Sequence, residues 1–240
     1  MENSINVALS QQIGLQRELG VIANNIANSS TPGFKGERVV FNEFLVKTMG
    51  RENQSYVQDI AVVRDTRQGT FKRTGNTFDM ALDGQGFFVV DSPTGERFTR
   101  NGVFQLDTQG RLATNEGNFV LGEDNNPIVV PPDQRQVQVQ DDGTITAGNR
   151  VIGKLRVVRF ENELALRKSG SDSFVTDRTP IAAERIKVVQ GSVEDSNVRP
   201  ILEMTRMIEL LRSYENNQKI IEGENERIRS TVRKLSTSGA

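Results

Sequence analysis

Cysteine and histidine are both absent from the 240 residues. Those two gaps exclude a Cys/His zinc centre, a Ser-His-Asp triad, a cysteine nucleophile and a histidine general base. Carboxylate and lysine chemistry stays open. Without cysteine there is no disulfide, so the composition is silent on redox compartment. An excess of one charge is lacking as well: 30 Lys and Arg stand against 31 Asp and Glu, a net charge of −1. That is not the electrostatic footprint of a nucleic-acid binder. No stretch approaches the ~20 consecutive apolar residues of a membrane span. The chain start is not a secretory signal either. Glu2, Asn3, Ser4 and Asn6 come first, and Gln11, Gln12, Gln16, Arg17 and Glu18 interrupt any apolar run. Taken alone, that points to the cytoplasm unless another export route serves. Apolar residues make up 35% of the chain, at a mean hydropathy of −0.46. A core can be built, but much of the surface stays polar.

What is present is organised as two similar ends around a different middle. Ile5, Leu9, Gln12, Gln16, Leu19, Ala23 and Ile26 recur at spacings of four and three, and Ile13, Val21 and Ile22 widen the stripe. That period predicts an amphipathic helix or a coiled-coil seam over 2–28. Ser29-Ser30-Thr31-Pro32-Gly33 then stops it. At the other end Met204, Met207, Leu211, Tyr214, Gln218, Ile221, Asn225, Ile228, Val232 and Leu235 keep the same spacing for more than four heptads. Gln218 and Asn225 are its polar members, of the kind that fixes register and partner number. Ser196 or Asn197 is the expected N-cap, Pro200 is tolerable in the first turn, and Gly223 weakens the helix locally. A helix this long needs another helix to cover its stripe. The N-terminal helix and copies in other chains are both available.

The middle reads as β-structure. Phe87-Phe88-Val89-Val90 is an apolar run ending at Asp91-Ser92-Pro93-Thr94-Gly95. Short β-type segments follow at 97–99, 103–106, 111–114, 118–121 and 128–130, separated by Asn-, Asp- and Gly-rich turn formers. Val137-Gln138-Val139-Gln140 alternates as a half-buried strand should, Asp141-Asp142-Gly143 turns it, and 151–160 continues the pattern. Between the first helix and this region, 31–69 is polar, with few apolar anchors. The chain therefore reads as α+β. N- and C-terminal helices form a coiled-coil-like core domain, and the centre is an antiparallel all-β domain, a sandwich or barrel. The expected segments are 1–30, an extended linker over 31–69, a β domain over 70–196, and 197–240.

Chemical constellations are weak. Gly84-Gln85-Gly86-Phe87 lacks the third glycine of a dinucleotide fingerprint, since Val89 occupies that position, and β-structure follows it. Asp79 and Asp83 have no partner acid nearby, Arg97 and Arg100 flank an apparent hairpin tip, and Lys35 lacks a P-loop's glycines. Each is better read as turn or surface. The chain is expected to be no enzyme, with no metal and no cofactor.

Three blocks carry a resemblance. Ala23-Asn24-Asn25-Ile26-Ala27-Asn28-Ser29-Ser30-Thr31-Pro32-Gly33-Phe34-Lys35 closely resembles the N-terminal signature of the bacterial flagellar axial proteins, the rod and hook family. Gly191-Ser192-Val193-Glu194-Asp195-Ser196-Asn197-Val198 is the second, and Asp83-Gly84-Gln85-Gly86-Phe87-Phe88 with Arg97-Phe98-Thr99-Arg100-Asn101-Gly102 the third. Leu15-Gln16-Arg17-Glu18-Leu19 and Ser196-Asn197-Val198-Arg199-Pro200 resemble the proximal-rod branch more than the distal-rod branch.

The resemblance implies a structural subunit that leaves the cell by the flagellar type III export apparatus without a cleaved signal. It implies polymerisation in the periplasmic basal body with copies of itself and with neighbouring proximal- and distal-rod subunits. Terminal helices would line a tubular core, the β domain would form an outer layer, and no nucleic acid or membrane insertion is involved. The implied assembly residues are Ile5, Leu9, Leu19, Asn24, Asn25, Ile26, Asn28, Pro32, Gly33, Phe34, Asn197, Met204, Met207, Leu211, Tyr214, Gln218, Ile221, Asn225, Ile228, Val232 and Leu235. The competing class is a ligand-binding β module dimerised by a coiled coil, which would form a closed oligomer of defined mass.

Overall fold

The computed structural model describes residues 2–46, 54–132, 136–183 and 186–237. The chain divides into two compact units. One comprises Met1–Ala27, Glu37–Arg64 and Arg199–Ala240, the other Asn28–Gly36 and Asp65–Val198.

In the first unit, helix α1 (Glu2–Ala27) is followed by strands β1 (Glu37–Val46) and β2 (Gln54–Arg64), and helix α2 (Pro200–Thr237) completes it. Pro200 opens α2, where its missing N–H costs nothing. Arg199 stands before it, its carbonyl accepting from the Glu203 N–H at 3.1 Å. Asn197 is therefore not the N-cap that the sequence suggests. α1 packs on α2 and on both strands. β1 and β2 pair antiparallel from Glu37↔Arg64 to Val46↔Gln54, with a bulge between Val40 and Phe41. The extended linker expected over 31–69 is thus largely a hairpin. Val39, Val40, Phe41, Tyr56, Val57, Val62 and Val63 supply β-branched and aromatic residues that its polar average conceals.

Among the described residues the second unit holds sixteen further strands. They are β3 (Phe71–Arg73), β4 (Met80–Asp83), β5 (Phe87–Ser92), β6 (Gly95–Thr99), β7 (Phe104–Leu106), β8 (Leu112–Thr114), β9 (Phe119–Val120), β10 (Val137–Val139), β11 (Thr144–Ala147), β12 (Arg150–Lys154), β13 (Val157–Arg159), β14 (Arg167–Lys168), β15 (Ser173–Val175), β16 (Ile181–Ala182), β17 (Lys187–Gln190) and β18 (Ser192–Glu194). Among the described residues every ladder is antiparallel. The largest sheet runs β14-β15-β6-β5-β9-β8-β7, with β13 joined to β5 and β16. Segment 128–130 forms no strand, but it meets its neighbours through a bridge between Arg111 and Val129 and by Leu112 N–H to the Ile128 carbonyl.

The apolar run of β5 explains the packing. Successive side chains of a strand point to opposite faces. Phe88 and Val90 enter one core, with Met80, Leu82, Phe104, Leu112 and Ile145. Phe87 and Val89 enter a second, with Phe98, Val158, Phe160 and Phe174. Phe88 meets Phe104 edge-on at 5.2 Å, and Phe98 meets Phe160 edge-on at 4.9 Å. A strand buried on both faces has no polar alternation, so its sequence is continuously apolar.

Candidate functional site

In the second unit the three sequence blocks meet at one carboxylate. Glu194 closes β18 with 0% exposure. Its Oε1 accepts from Lys35 Nζ at 2.5 Å and from the Gly69 N–H at 2.9 Å. Its Oε2 accepts from Arg100 Nε at 2.9 Å and lies 2.8 Å from Nη2. The Glu194 carbonyl accepts from the Gly33 N–H at 2.7 Å.

Each partner is held in turn. Arg100 Nη1 donates to the carbonyls of Gly84 and Gly86, at 2.8 and 2.7 Å. This is what the Gly84-Gln85-Gly86 turn does: it aims carbonyls at a buried guanidinium. Lys35 Nζ also donates to the Arg67 carbonyl at 2.8 Å. Burial pushes the Lys35 ammonium below the ordinary lysine range, and the nearby Glu194 carboxylate offsets part of that. Two cations on one carboxylate leave an excess positive charge, which the carbonyl oxygens solvate. Such a cluster is expensive to desolvate and worse to break.

Asn197 completes the arrangement. Its Oδ1 accepts from the Gly36 N–H at 2.8 Å, and its Nδ2 donates to the carbonyls of Asp65 and Arg67, both at 2.9 Å. Phe34 is buried, with the Lys168 ammonium 4.3 Å over its ring. Gly33 has φ +71°, and a Cβ there would sit 2.4 Å from Arg100 C and Asn101 N. Glycine is therefore required for both conformation and space. Pro32 is half-buried, and Asn28 accepts from the Thr31 hydroxyl at 3.3 Å. A cleft of about 300 Å³ adjoins the cluster, lined by Lys35, Arg67, Gln85, Arg100 and Glu163 among others. Its cations are already engaged, Arg67 by the Asp65 carboxylate.

In the first unit the helices run antiparallel. Asn217 Nδ2 of α2 donates to the Ala8 carbonyl of α1 at 2.8 Å, and Asn25 Nδ2 of α1 reaches Glu203 Oε2 of α2 at 3.3 Å. Asn25 also pairs with the backbone at the start of β1, donating to the Glu37 carbonyl at 2.7 Å and accepting from its N–H at 2.9 Å. The covered row of α2 is Glu203, Met207, Leu210, Tyr214, Asn217, Ile221, Glu224 and Ile228. The sequence seam shares Met207, Tyr214, Ile221 and Ile228 with it. Met204, Leu211, Gln218 and Asn225 are instead exposed, one position away from the covered residues. Gln218 donates to Glu222 along its own helix, so it is not the buried polar member; Asn217 is. On α1, Asn25 is buried, Leu19 and Ile26 are half-buried, and Leu9 and Asn24 are exposed. The side chains of Ile5, Val232 and Leu235 lie outside the described residues.

The outer surface of this unit is more apolar than a paired helix needs. Ile201, Met204, Ile208 and Leu211 are 79%, 52%, 53% and 44% exposed, and Leu9 and Ile13 of α1 are 43% and 67% exposed. At spacings of three, four and three, the α2 residues form one row. Meanwhile burial raises the Glu18 carboxyl above its ordinary value, partly opposed by Arg206. Polar groups thus sit in covered positions while large apolar ones face water.

The sequence reading missed the roles of Lys35, Arg100 and Glu194. The available signal was one acid and two bases, each inside a block singled out for other reasons. Among the described residues no group of acids assembles a metal site, and no described helix is long and apolar enough to cross a membrane.

Known proteins match along the chain. A family model described as "Flagella basal body rod protein" matches residues 5–35. One described as "Flagellar hook protein FlgE/F/G D1 domain" matches 81–147, and one described as "Flagellar basal body rod FlgEFG protein C-terminal" matches 189–233. The flagellar basal-body rod protein FlgF of Caulobacter vibrioides is 35% identical over 98% of both chains. The FlgF of Mesorhizobium japonicum is 33% identical over 92% of both. The FlgG of Bacillus subtilis is 30% identical over 97% of this chain and 98% of its own.

Proposed function

The chain belongs to the flagellar basal-body rod protein family as a homologue of FlgF, a structural subunit of the rod, and we propose that it polymerises through the outer faces of α1 and α2. The observation that carries this is the exposed row Ile201, Met204, Ile208 and Leu211 on α2, with Leu9 and Ile13 exposed on α1. Covering such side chains contributes on the order of 1 kcal/mol each, since full burial of one is worth ~1.5–3 kcal/mol. A head-to-tail contact that does not close on itself builds a helical tube. The helices of neighbouring copies, pairing in the manner of a coiled coil, would form its hollow core.

In this reading the chain is a proximal-rod subunit. It sits in the periplasmic part of the basal body, transmits torque as part of a drive shaft, and joins distal-rod FlgG. It leaves the cytoplasm unfolded through the flagellar type III export apparatus, without a cleaved signal. Helices that depend on packing suit that route, because most helical stability in proteins comes from tertiary packing of an amphipathic face and not from propensity. The remaining assembly candidates divide by environment. Asn25, Gly33, Phe34 and Asn197 serve the subunit's own fold, while the apolar Leu9, Met204 and Leu211 and the polar Asn24, Gln218 and Asn225 are exposed and can meet a neighbour.

The test is Met204→Asp with Leu211→Asp, expressed in a strain lacking the native protein. Both positions are exposed, so the stability of the purified chain should change by less than ~0.5 kcal/mol per site. Swimming and the recovery of rods should be lost. Full motility with both charges in place would remove this face from the interface.

A further inference from the structure

Both helices of the first unit leave apolar side chains bare. The contacts of Asn217 with Ala8 and of Asn25 with Glu203 mark the sides that α1 and α2 turn toward each other. At 100° per residue, Leu9 and Ile13 lie about 170° round α1 from its covered Ala8, Ile22 and Asn25. Ile201, Met204, Ile208 and Leu211 lie about 120° round α2 from its own covered row. The two faces therefore point in directions that diverge by more than a right angle. Leu202 and Ile220 are exposed as well, but they stand eighteen residues apart on the other flank and form no row.

Divergent faces limit how one contact can cover both. A two-fold contact on the α2 row leaves Leu9 and Ile13 bare, and one on α1 leaves the α2 row bare. A head-to-tail contact, the α2 row of one copy on the α1 face of the next, covers both with a single kind of interface. It also repeats between copies the antiparallel packing of α1 on α2 already present within the chain. The area argues the same way. The α2 row exposes a few hundred Å², short of the ~800 Å² per partner that a stable pair buries. A lone dimer on this row would be weak, whereas each copy in a continuing array is held through both faces.

The faces also differ in height along the helix axes. Ala8 is level with Asn217 and Asn25 with Glu203, so Leu9 and Ile13 stand level with residues 213–216 of α2. The α2 row, from Ile201 to Leu211, is centred near residue 206. The difference is roughly nine residues, or ~13 Å at 1.5 Å per residue. We propose that the Ile201–Leu211 row of one copy packs on the Leu9–Ile13 face of a second copy, and that each copy is slid by this distance along the axis from its neighbour. A slide at every step keeps a flat ring from closing, so the contact propagates as a helix. The proposal rests on the rod reading and specifies its partner faces.

The cysteine-free sequence allows a direct test. Strains carry cysteine variants in place of the native chain, cells are oxidised before lysis, and isolated basal bodies are run on non-reducing gels probed for this chain. Leu9→Cys with Ile208→Cys should give dimers and higher multiples. Ile13→Cys with Met204→Cys sits at the same intermolecular register and should give them too. The two pairs are independent, so a pair that impaired assembly would leave the other to decide. Leu9→Cys with Glu215→Cys, matched to copies lying level, should cross-link several-fold less, and Ile208→Cys alone should give no dimer. A dimer from Ile208→Cys alone would show like faces meeting and overturn the proposal. Equal cross-linking through Glu215→Cys would overturn the slide, and chain present in basal bodies with no cross-link from either pair would overturn the pairing. In these three results the rod reading stands. Absence of the parent chain from basal bodies would remove the rod reading and this one with it.

Discussion

Replacing Glu194 by Gln keeps the shape of the side chain and removes the charge that Lys35 and Arg100 share. The carboxylate has no solvent exposure, and its two cations are 6% and 5% exposed, so water cannot take its place. Removing one partner of a buried ion pair costs about 3–5 kcal/mol, because the other charge is left uncompensated. Here two are left, partly solvated by the carbonyls of Gly84, Gly86 and Arg67. The unit that holds the cluster has roughly 140 residues, and at ~2–4 °C per kcal/mol the melting temperature should fall by on the order of 10 °C. Because the chain has no tryptophan, calorimetry or circular dichroism is the suitable readout. Lys35→Met should cost less, since it removes one of two cations facing one acid. The double variant should be milder than the sum, with a coupling of about 1 kcal/mol or more. A Glu194→Gln protein within ~0.5 kcal/mol of the parent, the range of ordinary surface substitutions, would refute the idea that the three blocks depend on this carboxylate.

Gly33→Ala should destabilise the segment 33–36 more than most single changes, because a positive φ and a 2.4 Å approach to the backbone of Arg100 and Asn101 both oppose a Cβ; faster tryptic cleavage after Lys35 is the check. Lys35 has its folded pKa lowered, chiefly by burial. The native state therefore releases its proton before the unfolded chain does. The parent should gain stability relative to Lys35→Met as pH rises from that lowered value toward the ordinary lysine value near 10.5, and parallel pH titrations of unfolding should show the difference. Glu18 has the opposite sign: its folded pKa is raised by burial above 4.5. Its contribution is present at low pH and is lost as pH rises through the folded value, so Glu18→Gln should stabilise the helix pair at neutral pH and have no such effect below pH 4.5. Equal unfolding curves at pH 4 and pH 7 for the two proteins, normalised to their own parents, would contradict this.

The sequence made different parts of the molecule legible for different physical reasons. β5 was readable because a strand buried on both faces has no alternation to obscure it, and the turns around it announce themselves by residue type. Both helices were readable from their period. The exact face of α2 was not, because in its first three turns Met204, Ile208 and Leu211 are as apolar as the covered Met207 and Leu210, so both sides of the helix read alike there. The hairpin of β1 and β2 was hidden by its polar average. The Glu194 cluster was hidden for another reason. Lys35, Arg100 and Glu194 are separated by up to 159 residues, and charge pairing at that range leaves no local pattern. Exposed Met204, Ile208 and Leu211 look misplaced in one chain, and they become intelligible once neighbouring copies are considered.

Hydrogen exchange measured on the dilute purified chain and on isolated basal bodies tests the central claim most directly. Rod assembly through the outer faces of the terminal helices predicts that residues 2–27 and 200–235 exchange faster in the free chain than in basal bodies, where they gain strong protection, with the β unit protected in both. A chain absent from basal bodies, or one whose helices are already protected in a closed soluble oligomer, would contradict it.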